Sequence, residues 1–211
     1  MIVCKLRRFV LWLRQPFGSR CVQSPGVYTF ISDVISNRSH FYAYKDLRGQ
    51  LHAMSRSDRK VARLLMRLSN YMQAEKVLLT QDNRRFASFV EIGCSKTKVE
   101  EARGQALPLA PPSDPSLQAE NYIFFFPKGK SSSGLGKEPS AIDSQQSSNI
   151  KEIAEQAVVI PYIYKTHTSY RSWQKLTTAS WASVVFDLGI AGVILINPAY
   201  GKQQYVIKLK S

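Results

Sequence analysis

The chain has 211 residues, a length that suits one domain, with room only for a small second unit. Apolar residues make up 44%, which excludes global disorder; Cys4, Cys21 and Cys94 are widely spaced without a CxxC, which excludes a disulfide framework or a cysteine zinc site. The formal charge is +14, and residues 1–74 carry 13 Lys/Arg against 3 Asp/Glu. Such a half favours nucleic acid, anionic lipid or an acidic partner, where it is not simply a solvated surface. His40, His52 and His167 form no metal pair, and a reducing, cytoplasmic compartment is the expectation.

In chain order, MIVCKLRRFVLWLRQPFG comes first. Its longest apolar run, Phe9 to Leu13, is too short for a signal-peptide core, and Arg14 closes it. No stretch reaches the ~20 apolar residues of a membrane span, so no transmembrane segment is expected. As a helix it would put Ile2, Leu6, Phe9, Val10 and Leu13 on one side, to pack as an arm or lie on a membrane surface. Ser24-Pro25 then reads as a helix cap and first turn, and Val27, Phe30, Ile31, Val34 and Ile35 recur at helical spacing. A further helix spans about Ser57 to Gln73, with Val61, Leu64, Leu65, Leu68, Tyr71 and Met72 on its apolar face. Arg59, Arg63 and Arg67 line another side at i, i+4 and i+8, a stripe suited to nucleic acid or an anionic surface. Phe41, Tyr42 and Tyr44 would stack on bases in that case.

KVLL (76–79), SFVEI (88–92), NYIFFF (121–126) and AVVIPYIY (157–164) read as buried strands, with a helix at NIKEIAEQ before the last. LPLAPPSDPS (107–116) and the Ser/Gly-rich segment 128–149 read as linkers, the second a mobile loop. SSSGLGK lacks the GK[ST] ending of a phosphate loop. TSYRSWQKLTTAS suggests a helix with Tyr170, Trp173 and Leu176 on one side. ASVVFDLG, GVILIN and QQYVIKLK close the chain as strands, the last two joined by a PAYGK hairpin. Strands alternating with helices define an α/β sheet.

QSPGVYTFISDVI with HFYAYKDLRGQL, SDRKVARLLMRLSNYMQAEKVLL, AVVIPYIYKTHTSYRSWQKL and ASVVFDLGIAGVILINPAYGKQQYVIKLK occur in an order that resembles a group of class I S-adenosylmethionine-dependent methyltransferase-like proteins common in Bacteroidetes. The resemblance covers about two-thirds of the chain. It implies a Rossmann-like, mostly parallel sheet with an antiparallel C-terminal hairpin and helices on both faces. Residues 1–75 would form a helical N-terminal extension packing on a core at 76–211. The cofactor of intact members would lie across the carboxyl ends of the first strands.

FVEIGCSKTK resembles the group's second strand. In that register Glu91 ends the strand, where it would accept from ribose hydroxyls, and Gly93 follows; these two are the expected cofactor-binding residues. The register leaves only Thr80 to Ser88 between the first two strands, less than the ~10–12 residues of a crossover with its helix. Elsewhere Pro127-Lys128-Gly129 stand where the group carries an acid, and Pro161-Tyr162-Ile163-Tyr164 stand in place of D-D-I-H. No catalytic or metal residues are assigned, and His167 reads as a polar loop residue. The expectation is therefore a catalytically degenerate methyltransferase-fold protein that binds another copy, a true methyltransferase or an acidic ligand, with no cofactor. The alternatives are an active methyltransferase using S-adenosylmethionine through an atypical loop, and a basic protein binding nucleic acid or a membrane surface.

Overall fold

In the computed structural model, the described residues are 22, 24–37, 43–102, 121–127, 156–197 and 200–209. The expected helix at 2–14, most of NIKEIAEQ and both linkers lie outside them.

Pro25–Phe30 form α1 behind Ser24, and the coil continues as a wider π turn through Ile31–Ile35. Val27, Phe30, Ile31, Val34 and Ile35 are all buried, as their spacing requires. Two short helices follow, α2 (Ala43–Asp46) and α3 (Arg48–Ala53). The longest is α4, Arg56–Met72. Its start is fixed locally: Ser55 Oγ accepts the Asp58 amide at 3.1 Å and donates to Asp58 Oδ2 at 2.7 Å. It ends at Gln73, whose φ of 48° turns the chain into β1.

Among the described residues the strands are β1 (Ala74–Leu79), β2 (Lys98–Glu101), β3 (Ile123–Pro127), β4 (Gln156–Pro161), β5 (Val184–Asp187), β6 (Ala191–Ile196) and β7 (Gln203–Val206). They form one sheet in the order β2-β1-β3-β4-β6-β5-β7. Helices cover both faces. On one, α1, α4 and α5 (Ala87–Gly93) pack on Val77, Phe125, Val159 and Val193, and Phe30 stacks on Phe186 with centroids 5.1 Å apart. On the other, Trp173 and Leu176 of α6 (His167–Thr178) cover Phe124, Val158 and Ile194. Burying each such side chain contributes about 1.5–3 kcal/mol before entropy is counted.

Three expectations need correction. The sheet is mixed: β1–β2 and β5–β7 pair parallel, and the other four pairings are antiparallel because β3 runs against β1 and β4, and β6 against β4 and β5. A strand buried on both faces reads as the same apolar run whichever way it points. Second, SFVEI is not a strand but most of α5, and β2 is the polar KVEE that follows it. Third, PAYGK does not close a hairpin. β6 already bonds β4 on one side and β5 on the other, so β7 is carried past β5 to its outer edge. Ser183, just before β5, ties down the residue that follows β6: its Oγ donates to the Asn197 carbonyl at 2.7 Å and accepts the Asn197 amide at 3.1 Å.

Candidate functional site

β1, β4 and β5 end along one edge of the sheet, with the amino end of β3 between the first two. Open α/β sheets present their ligand crevice at such an edge. Here residues 80–97 join β1 to β2 through a 3-10 turn, Gln81–Phe86, and then α5. The crossover therefore has its helix, which overturns the short nine-residue connection. What it lacks is glycine ahead of that helix: the segment after β1 is TQDNRRF. Asn83 is fully buried there, and its Nδ2 donates to Thr80 Oγ1 at 3.0 Å, to Asn121 Oδ1 at 2.6 Å and to the Tyr122 carbonyl at 3.2 Å. The carbonyl can only accept, which fixes the amide's orientation. Phe86, at the end of the same turn, is fully buried in the core.

Glu91 and Gly93 do not stand at a strand end. Glu91 is exposed on α5. Gly93 ends α5 against α4: a Cβ there would overlap the Met66 carbonyl oxygen and lie 2.9 Å from Ser69 Cβ. Its lack of a side chain serves helix contact, and the two residues do not come together as a pair of ligand contacts. Cys94, next in the chain, is buried.

The polar constellation at this edge comes from Tyr162 and Tyr164, which stand in place of the group's acids, and from Asp58, Arg85 and Asp187, which the sequence did not single out. Tyr162, just past β4, has φ +59°, a left-handed conformation that costs a bulky residue about 1–3 kcal/mol. Its amide donates to the Ile190 carbonyl at 2.7 Å, and its carbonyl accepts from the Lys165 amide at 2.9 Å. Its hydroxyl donates to Asp58 Oδ1, and Arg85 Nη2 reaches both the hydroxyl and Oδ1 at 3.2 Å. The group thus clasps the start of α4, the 3-10 turn and the end of β4. Burial and the hydrogen bond to Asp58, together with that carboxylate's charge, push the Tyr162 phenol above its ordinary 10.0. Two residues on, Tyr164 donates to Asp187 Oδ2 at the end of β5, while Gly189 N donates to Oδ1 at 2.9 Å. The turn that carries no acids of its own therefore sends two phenols to carboxylates on α4 and β5. A phenol held neutral and already donating is poorly suited to act as a base or nucleophile near neutral pH. The positive charges of Arg84 and Lys165 remain open to solvent along the same edge. His167 begins α6 and is exposed.

Burial works to raise the Asp58 carboxyl, but hydrogen bonds from Ser55 and Tyr162 and the nearby Arg85 charge outweigh it and hold the group below its ordinary 3.8. A lowered carboxyl contributes stability above its unfolded value and loses it as pH falls through the folded one. The urea midpoint of the native chain is therefore expected to drop as pH falls below 3.8, and Asp58→Asn to flatten part of that drop. Identical acid profiles for the two proteins would show that the clasp contributes nothing.

Arg59, Arg63 and Arg67 do not form one exposed stripe. Arg67 is 4% exposed and donates through Nη1 to the Asn37 carbonyl and through Nε to the Arg63 carbonyl at 3.2 Å. Being buried against the end of the π turn, it is not a surface contact. Phe41 and Tyr42 lie outside the described residues, as does Pro127-Lys128-Gly129 beyond the Pro127 backbone. No helix among the described residues is long and apolar enough to cross a membrane, and none of their His, Cys, Asp or Glu side chains cluster in threes as a metal would need. Comparison with family models, curated proteins and solved structures finds no match to this chain.

Proposed function

We propose that the chain is a divergent, methyltransferase-like α/β protein that has lost S-adenosylmethionine chemistry and acts by binding an acidic partner. The observation that carries this reading is the state of the crevice after β1. A nucleotide needs glycines there so that the backbone can approach it. The chain has a glycine-free turn instead, with Asn83 buried against Thr80 and Tyr122 at the adjoining ends of β1 and β3, and Phe86 buried in the core. The tyrosine clasp supports the same view, since its hydroxyls are committed to Asp58 and Asp187. The exposed Arg84 and Lys165 give the edge a positive rim, which favours an acidic partner.

Isothermal titration with S-adenosylmethionine and S-adenosylhomocysteine tests the reading. No saturable heat is expected at ligand concentrations up to about 1 mM, the weak end of useful cofactor affinity. Saturable binding in the micromolar range would overturn it in favour of a working methyltransferase with an atypical loop.

A further inference from the structure

The middle of α4 holds a pair of cations that no carboxylate pairs among the described residues. The described acceptors of Arg67 are two neutral carbonyls, and the charged or titratable groups that act on it are Arg63, another cation, and the Tyr44 hydroxyl. The Arg63 guanidinium lies over the Tyr44 ring, 5.5 Å from its centroid, and its Nε is buried without an acceptor. The segment joining Asn37 to Ala43 is RSHFY, which contains no acid. The acids nearest to it in the chain, Asp33 and Asp46, are exposed and make no ion pair among the described residues. A guanidinium taken out of water needs a counter-charge or a full set of acceptors. The carbonyl end of the π turn partly answers Arg67, because helix carboxyl ends carry partial negative charge. Among the described residues nothing comparable answers the buried donor of Arg63.

We propose that Arg63 and Arg67 form a site for a single phosphate-type oxyanion, either inorganic phosphate or the phosphate group of a small ester. Guanidinium forks match that geometry, and the anion supplies both the missing charge and the missing acceptor. An extended polyanion fits less well, because one of the arginines is buried and the pair offers a point rather than a track. The site lies along α4, away from the Asp58 clasp at that helix's start, and stands or falls independently of the function proposed above.

Titration of the full chain with sodium phosphate at constant ionic strength, followed by melting temperature and by calorimetry, tests the site. A saturable response is expected with phosphate and not with chloride. Arg63→Gln should weaken it roughly tenfold or more, while Arg63→Lys, which keeps charge but loses the fork and Nε, falls between. Arg59→Gln should leave it unchanged. Glycerol 2-phosphate binding more tightly than phosphate assigns the ester; equal or weaker binding assigns the free ion. The absence of a saturable response, or equal affinity in native and Arg63→Gln proteins, overturns the site. So does an oligonucleotide that binds through Arg63 more tightly than either probe.

Discussion

Replacing Gly93 with alanine is expected to lower stability by about 3 kcal/mol, a fall of roughly 6–12 °C in melting temperature for a chain of this size. On an exposed helix the same change would stabilise by up to about 1 kcal/mol, so the sign itself is informative. The reason is backbone contact. A Cβ at Gly93 would meet the Met66 carbonyl oxygen and Ser69 Cβ, and neither is the free end of a flexible side chain. α4 and α5 would have to separate, disturbing the buried bond from Ser69 Oγ to the Val90 carbonyl at 2.8 Å. Gly49→Ala supplies the control: Gly49 is exposed on α3 with nothing within 4 Å of a Cβ, so its variant should match or exceed the native melting temperature. A Gly93→Ala protein as stable as the native one would show that the helices are not in close contact there.

Gly192→Ala is expected to cost a further-reaching 2–3 kcal/mol or so on the opposite face. Gly192 lies within β6, and a Cβ there would fall on the Trp173 ring, 2.7 Å from Cε3. Trp173 is 3% exposed and anchors α6 to the sheet, so the indole has to tilt and lift that helix. The coupling can be isolated in a double-mutant cycle. In a Trp173→Leu background the smaller side chain leaves room, and Gly192→Ala should cost markedly less than in the native protein. Equal costs in both backgrounds would mean that the indole is not what fixes position 192.

Most of the core was legible because its periodicity is strong. Val27 to Ile35, Val61 to Met72 and Tyr170 to Leu176 mark helices, and KVLL, the IFFF of NYIFFF, AVVI, VVFD and GVILI lie in strands. The α5 error has a local cause. SFVEI is rich in strand-favouring residues, yet Phe86, Phe89, Val90 and Gly93 recur at i, i+3, i+4 and i+7, and the first three are fully buried. Reading from Phe86 rather than Ser88 would have exposed that spacing. β2 was missed because KVEE sits at the sheet edge, with only Val99 half-buried, and offers no apolar alternation. The clasp was harder still. Asp58 reads as an ordinary first-turn acid, Arg85 as loop charge and Tyr162 as part of a strand. Only the turn after β4 brings them together, and a left-handed tyrosine leaves no mark in composition. In the opposite direction, the arginine spacing on α4 suggested a solvated stripe, because helical periodicity alone does not say which side meets α1.

The position of β6 has a consequence for how the molecule is made. It is inserted between β4 and β5, so during synthesis of residues 162–196 the inner edge of β4 has no partner from this sheet. That edge belongs to a strand buried on both faces in the finished protein. A nascent chain stalled in this interval would present an apolar template open to intermolecular pairing, the form of incomplete structure most prone to aggregate. The tight Asp187–Ala191 turn shortens the hazard. Once β5 has emerged, β6 can fold back on it locally and arrive at β4 as a ready-made ribbon.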